Sequence, residues 1–161
     1  MKNLITIGAA LFCTLSIFGQ ADKMQWSENN QIKEASFKAL PPVSPNDNTE
    51  EYLLAAHLDF NFQMLNLQFA FTKNFNSYVD VYYVPSQSWM EKGQYTEQFL
   101  GMANLDFDLI ELYARKFRKK MFEAKKVGSS MDFYTKLHND NNFEYNNERY
   151  KIQSELRSSD N

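Results

Sequence analysis

Hydrophobic and polar residues alternate in the first half of the chain as they do in half-buried β-strands. From Leu58 to Met64, every second residue is apolar, and Asp, Asn and Gln occupy the positions between. A second apolar run, Tyr78–Val84, follows a polar turn and is stopped by Pro85. Two such strands most simply pair in opposite directions, so the pattern predicts an antiparallel sheet.

The region between and before these strands is less regular. The alternation changes phase at Met64–Leu65, and Leu67, Phe69 and Phe71 continue it on the new phase. Side chains of a strand repeat every two residues, so this change predicts a bulge or a tight turn within the strand. Residues 40–48 contain three of the four prolines together with turn-forming residues, which predicts a loop.

Beyond Trp89 the hydrophobic spacing becomes helical. Apolar residues recur every three to five positions until Gly128, and they are Phe99, Met102, Leu105, Leu109, Leu112, Phe117 and Met121. Ser129 or Ser130 can cap a shorter helix that runs to about Leu137, and the Asn-rich residues 139–142 separate it from a final polar helix over 143–156. The fold class predicted is α+β: an N-terminal antiparallel sheet packs on a long helix, with one or two shorter C-terminal helices.

The first residues have the composition of a signal peptide. Residues 1–21 combine a positive Lys2, an apolar run and a small-residue end, so cleavage is expected after Ala21. The apolar run of roughly 15 residues is shorter than the about 20 that cross a bilayer, which argues against an anchor and against any span in the mature chain. We expect a secreted or periplasmic protein with one domain over 22–157 and a disordered tail over 158–161.

The amino-acid composition excludes some kinds of site and partner. Cys13 is the only cysteine of the 161 residues and leaves with the leader, so the mature chain has no disulfide and no thiolate metal ligand. The 14 Phe and 9 Tyr instead favour a core held together by aromatic burial. A net charge of -3 argues against a nucleic-acid partner.

A set of residues in and before the long helix has a recognisable spacing. These residues are Ser88–Trp89, Leu100, Phe107–Asp108, Glu111, Ala114–Arg115 and Arg118. The spacing resembles that of a secreted bacterial family of predicted zinc-dependent proteases, a domain of unknown function whose members carry S-W, then L-x-H-E-Q-x-H-F-D, then E-x-x-A-R-x-x-R. Upstream, Trp26–Ser27, Ser36–Phe37 and Pro41–Pro42 are similar to the opening of that family.

The chain departs from this family at the positions that chemistry requires. A zinc peptidase helix places two His at i and i+4 so that both reach one metal, and the Glu after the first His activates water. The resemblance puts Met102 and Asp106 at the two ligand positions and Ala103 at the position of the Glu. A thioether is a poor zinc ligand, so the resemblance implies a degenerate member with no metal, no cofactor and no catalytic residue.

Other chemically suggestive residues have simpler interpretations. His57 and His138 each lack a second His at ligand spacing, which favours structural or solvent roles. Asp106 and Asp108 do not share a helix face closely, so we expect solvated or capping roles. Glu111 and Arg115 form a helical i,i+4 pair, and the basic run 115–120 is typical of a solvated face. Ser88 has no evident base, so a nucleophile is not indicated.

We therefore expect a secreted, non-catalytic relative of the zinc-protease-like family that acts as a binding or regulatory module. Its partner would be a peptide or protein held in a vestigial groove beside an edge strand. Two alternatives remain open. One is an active metal-dependent hydrolase that uses Asp106 with Glu111 or His57, and the other is a structural envelope protein.

Overall fold

The computed structural model describes residues 22–42, 52–60, 66–125 and 130–159. The predicted signal peptide, the larger part of the proline-containing loop and the change of phase at Met64–Leu65 lie outside these residues. Within the described residues, antiparallel strands occupy the N-terminal half and two long helices the C-terminal half. The predicted α+β class is confirmed.

In the described part of the chain, five short strands form two sheets. They are β1 (Met24–Gln25), β2 (Tyr52–Leu53), β3 (Ala56–Phe60), β4 (Val79–Tyr83) and β5 (Trp89–Met90). One sheet has the order β1-β4-β3 and the other pairs β2 with β5, all antiparallel. In β4, Val79, Val81 and Tyr83 point into the core, whereas Asp80 is exposed. The strand predicted at 78–84 is therefore confirmed.

Helix α1 (Asn66–Phe71) lies where the sequence predicted continued strand alternation. That prediction was wrong, because the two-residue spacing of its apolar residues does not reflect burial. Phe69 is buried and its ring lies 4.9 Å from that of Tyr134, whereas Leu67 and Phe71 are exposed. One buried residue among the five whose burial is described is compatible with a short surface helix, so the alternation was uninformative here.

Two helices of equal length contain about half of the described residues. Helix α2 (Thr96–Ala124) confirms the long helix, although it ends before Gly128. Helix α3 (Met131–Ser159) also has 29 residues, and it replaces the two shorter helices predicted around the Asn-rich stretch. The stretch does not break α3 because Asn141 is buried and its Nδ2 donates to the carbonyl of Tyr113 on α2, at 3.1 Å. Helix α3 thus includes the first two residues of the predicted tail.

Helix α2 lies between the sheet and α3. One face contributes apolar side chains to the core under β3 and β4, and the adjacent face contacts α3. The buried residues of α2 on these faces include Ala103, Phe107, Ile110, Tyr113, Ala114, Phe117 and Met121. Among the described residues, neither α2 nor α3 nor any other helix combines the length and apolar character that crossing a bilayer requires.

Candidate functional site

Residues 102, 103 and 106, the positions that the resemblance assigns to a zinc site, lie on the faces of α2 that contact the core and α3. Ala103 has no exposed surface and belongs to the core cluster, while Met102 is partly buried. Asp106 is 6% exposed, so the expectation of a solvated or capping role for this residue was wrong. The helix rotates by about 100° per residue, which places position 106 towards α3 and position 103 towards the sheet.

Asp106 is the acceptor in a buried cluster of polar side chains. Its Oδ2 accepts hydrogen bonds from the Tyr52 hydroxyl at 3.0 Å, the Arg149 Nη2 at 2.9 Å and the Gln153 Nε2 at 3.3 Å. The Arg149 contact is an ion pair between α3 and α2. A buried carboxylate is costly without such partners, so the cluster neutralises the charge of Asp106 within the protein.

The ionisation of the neighbouring groups follows from this arrangement. Burial and the charge of Asp106 raise the pKa of the Tyr52 phenol well above its ordinary value. Burial alone lowers the pKa of Arg149, but the hydrogen bond and charge of Asp106 outweigh this effect and raise it. Tyr52 therefore stays a neutral donor and Arg149 a cation at physiological pH.

A second polar cluster lies on another face of α2, against the end of the sheet. Glu111 is 7% exposed, and its Oε1 accepts from Arg115 Nε and Arg118 Nη1, both at 3.0 Å. Arg118 Nη2 also donates to the carbonyl oxygen of Val79 at 2.7 Å. The expected i,i+4 pair is therefore present, and Arg118 extends it to strand β4.

This second cluster lines an open cleft of about 590 Å³. Trp26, just after β1, forms one wall, and its Nε1 donates to Asp108 Oδ1 at 2.8 Å. The guanidinium of Arg115 lies 5.0 Å from the Trp26 ring centroid. The cleft, which we call the Arg115 cleft, is lined by Gln25, Trp26, Asn76, Val79, Asp80, Val81, Glu111, Arg115 and Arg118. Two further clefts, beside Asn104 and beside Phe99, are likewise lined by residues other than Met102 and Asp106.

The remaining candidate residues have structural contacts. His57 is exposed and its ring lies 5.5 Å from that of Tyr82. His138 packs against Phe117, and its Nε2 lies 3.3 Å from the carbonyl oxygen of Leu58 on the edge strand β3. Ser88 is fully buried.

The buried Ser88 hydroxyl is hydrogen-bonded on both sides. The hydroxyl donates to the Val84 carbonyl at 2.8 Å and accepts from the Ala55 amide at 3.1 Å. These bonds join the β4–β5 connection to the segment before β3. The hydroxyl therefore has a backbone-bracing role in this arrangement.

The side chains of Met102, Ala103 and Asp106 do not fit a zinc ion. The thioether of Met102 and the methyl group of Ala103 are unsuitable donors, and the Asp106 carboxylate is already paired with Arg149. Asp106 and Glu111 also diverge by about 140° around the helix. Within the described ranges, no group of three His, Cys, Asp or Glu side chains is placed to hold a metal ion.

Sequence reasoning missed the partners of Asp106. Tyr52, Arg149 and Gln153 come from β2 and α3, which are distant from Asp106 in the sequence. A continuous helical interpretation of residues 131–159 would have placed Asn141, Tyr145 and Arg149, which follow one another at intervals of four, along one stripe of α3. No local signal identified Asp106 as the residue it meets.

Comparisons of the chain with family models, curated proteins and solved structures give no match.

Proposed function

We propose that this protein is a secreted, non-catalytic binding or regulatory module that retains the scaffold of the zinc-protease-like family. The observation that carries the proposal is the ion pair between Asp106 and Arg149. The position at which the resemblance expects a metal ligand bears a carboxylate that already has a cationic partner from α3. A guanidinium at that point supplies positive charge but has no open coordination position at which water could be activated.

The burial of Ala103 supports the same conclusion. A catalytic base must reach water and substrate, and this position has no exposed surface. Introducing Glu here would bury a carboxylate among apolar side chains, which is costly. The face of α2 that bears Asp106 is covered by α3 and Tyr52, so a partner would bind elsewhere, and the Arg115 cleft is the best candidate.

The alternative of an active hydrolase requires Asp106 or Glu111 to release its partners. Asp106 would have to leave Arg149 and Tyr52, and Glu111 would have to leave two guanidinium groups. Each release would leave a buried charge without a partner, and the free-energy cost of that charge opposes metal binding. This geometry therefore favours the binding module over the hydrolase.

The test is to measure metal content, hydrolysis and peptide binding on the same preparation, purified without chelator. We expect substoichiometric zinc, no peptide hydrolysis above the level of an Asp106→Ala variant, and saturable binding to a peptide array that persists in EDTA. Stoichiometric tightly bound zinc, with hydrolysis abolished in an Asp106→Ala variant that circular dichroism shows to be folded, would establish the hydrolase instead. An array with no bound peptide would leave no support for a peptide-binding module.

A gain-of-site experiment tests the role of Arg149. Met102→His and Asp106→His together should bind zinc poorly, because Arg149 remains beside the new ligands. Adding Arg149→Gln should increase zinc affinity at least tenfold in a competition assay with a fluorescent chelator. Equal zinc binding with and without Arg149→Gln, in variants that circular dichroism shows to be folded, would contradict this role.

A further inference from the structure

The Arg115 guanidinium is held in place on two sides by its own protein. Its Nε donates to Glu111 Oε1 at 3.0 Å, and its planar group lies 5.0 Å from the centre of the Trp26 ring. Arginine stacks on aromatic rings and binds carboxylates through two parallel N–H groups. With Nε engaged by Glu111, the edge formed by the two terminal nitrogens is the part left for a ligand.

The carboxylate that supports Arg115 is connected to the sheet through Arg118. Glu111 is buried and also accepts from Arg118, which donates in turn to the backbone of Val79 in β4. Two guanidinium groups therefore share one buried carboxylate, and the single positive charge that these three side chains carry is balanced by Asp80 in the cleft lining. A group fixed in advance loses little conformational entropy when it binds, so the arrangement suits recognition.

Glu28 shows the direction from which a carboxylate approaches this edge. Its Oε1 lies 4.0 Å from Arg115 Nη2, too far for a hydrogen bond, and its side chain is 80% exposed. Exposed pairs of this kind contribute little to stability. An external carboxylate could therefore replace Glu28 at low cost.

We propose that the Arg115 cleft binds a carboxylate group of a peptide, with Arg115 as the residue that recognises it. This proposal rests on the proposed binding function and specifies its ligand class. The volume of about 590 Å³ lies within the range of ligand sites and accommodates a short peptide segment. Asp80 and Asp108 lie close to the cleft, so it selects peptides with a single carboxylate rather than a run of acidic residues.

The experiment compares two capped pentapeptides that differ only in a central Glu or Gln. Isothermal titration calorimetry measures their affinities, and intrinsic fluorescence reports on the cleft because Trp26 lies in its wall whereas Trp89, the other tryptophan, is buried. The Glu peptide should bind at least about tenfold more tightly than the Gln peptide and should change the fluorescence.

Four variants test the role of Arg115. Arg115→Gln should abolish the preference for Glu, and Arg115→Lys should remove most of it because an ammonium group cannot form two parallel bonds. Glu28→Gln should tighten binding of the Glu peptide several-fold. Lys119→Gln is the matched control, since it removes a cation from the exposed face of the same helix, and it should leave the affinity within about twofold.

Equal affinity for the two peptides, or a preference that survives Arg115→Gln in a folded protein, would overturn the carboxylate proposal. Either result would leave the metal-independent binding function intact, because the peptide array tests that function separately. Failure of the Glu peptide to bind at millimolar concentration, when the array identifies other ligands, would also overturn the assignment.

Discussion

Removal of the Arg149 side chain is the most direct test of how Asp106 is stabilised. In Arg149→Met, the helix keeps a residue of comparable length and helix propensity, but Asp106 loses its only cationic partner among the described residues. Tyr52 and Gln153 continue to donate to Oδ2. The variant therefore isolates the contribution of the charge from that of the neutral hydrogen bonds.

The size of the expected stability loss in Arg149→Met follows from the burial of Asp106 and Arg149. Removal of one member of a buried ion pair costs about 3–5 kcal/mol, because the other charge is left without compensation. The Asp106 side chain is 8% exposed, but that of Arg149 is 34% exposed, so water already screens part of the interaction. With this screening and two remaining donors, we expect a loss of about 2–3 kcal/mol in the free energy of unfolding at neutral pH.

The assay is equilibrium unfolding in urea, followed by far-ultraviolet circular dichroism, for the parent, both single variants and the double variant. Asp106→Leu combined with Arg149→Met replaces the ion pair by apolar side chains but leaves the Tyr52 and Gln153 donors without their acceptor, so it should lose only about 1–2 kcal/mol relative to the parent. The double variant should thus be more stable than Arg149→Met alone. An Arg149→Met loss below about 0.5 kcal/mol, or single losses that simply add in the double variant, would refute the reasoning.

Three further outcomes are expected from other buried polar groups. Glu111→Gln should lower the free energy of unfolding by about 2–3 kcal/mol, because two guanidinium groups lose their shared carboxylate. The control is Glu123→Gln, which removes an exposed partner of Lys119 and should cost less than about 0.5 kcal/mol in the same urea titration. Asn141→Ala should cost about 1–2 kcal/mol in thermal or urea unfolding, since it removes the buried hydrogen bond from the Asn141 side chain to the Tyr113 carbonyl. Burial raises the pKa of Tyr145 from 10.0 to about 12, so the unfolded chain ionises first and stability should fall as pH rises from 10 towards 12. Tyr145→Phe should make this alkaline loss smaller, and an unchanged pH profile would contradict the assignment.

The parts of the fold that sequence predicted best have a strong local period. The apolar spacing of α2 and the run that became β4 both reflect burial along one face of a single element, so their type was readable without knowledge of any neighbour. The prediction from sequence failed where the polarity of a residue did not match its burial. Leu67 and Phe71 alternate with Phe69 but are exposed, and Asn141 looks like a helix breaker but is a buried donor to α2.

The chemistry of the sites depended far more on contacts between distant segments. The sequence identified Glu111 with Arg115 because a helix brings positions four apart together, yet it did not show that Arg118 would extend this pair to the Val79 carbonyl. The sequence pattern also led us to expect a solvated or capping role for Asp106. Burial and partner identity are properties of packed surfaces, which a local pattern does not encode.

By itself, the amino-acid sequence determined the residue types at positions 102, 103 and 106, the aromatic residues available to the core and the helical period of α2. Each of these features depends only on covalent identity or on local spacing. Only the tertiary structure decided that a guanidinium from α3 neutralises Asp106 and that Arg115 stands supported at an open cleft. Those arrangements arise when separate elements pack together, since the same side chains would otherwise be paired with water.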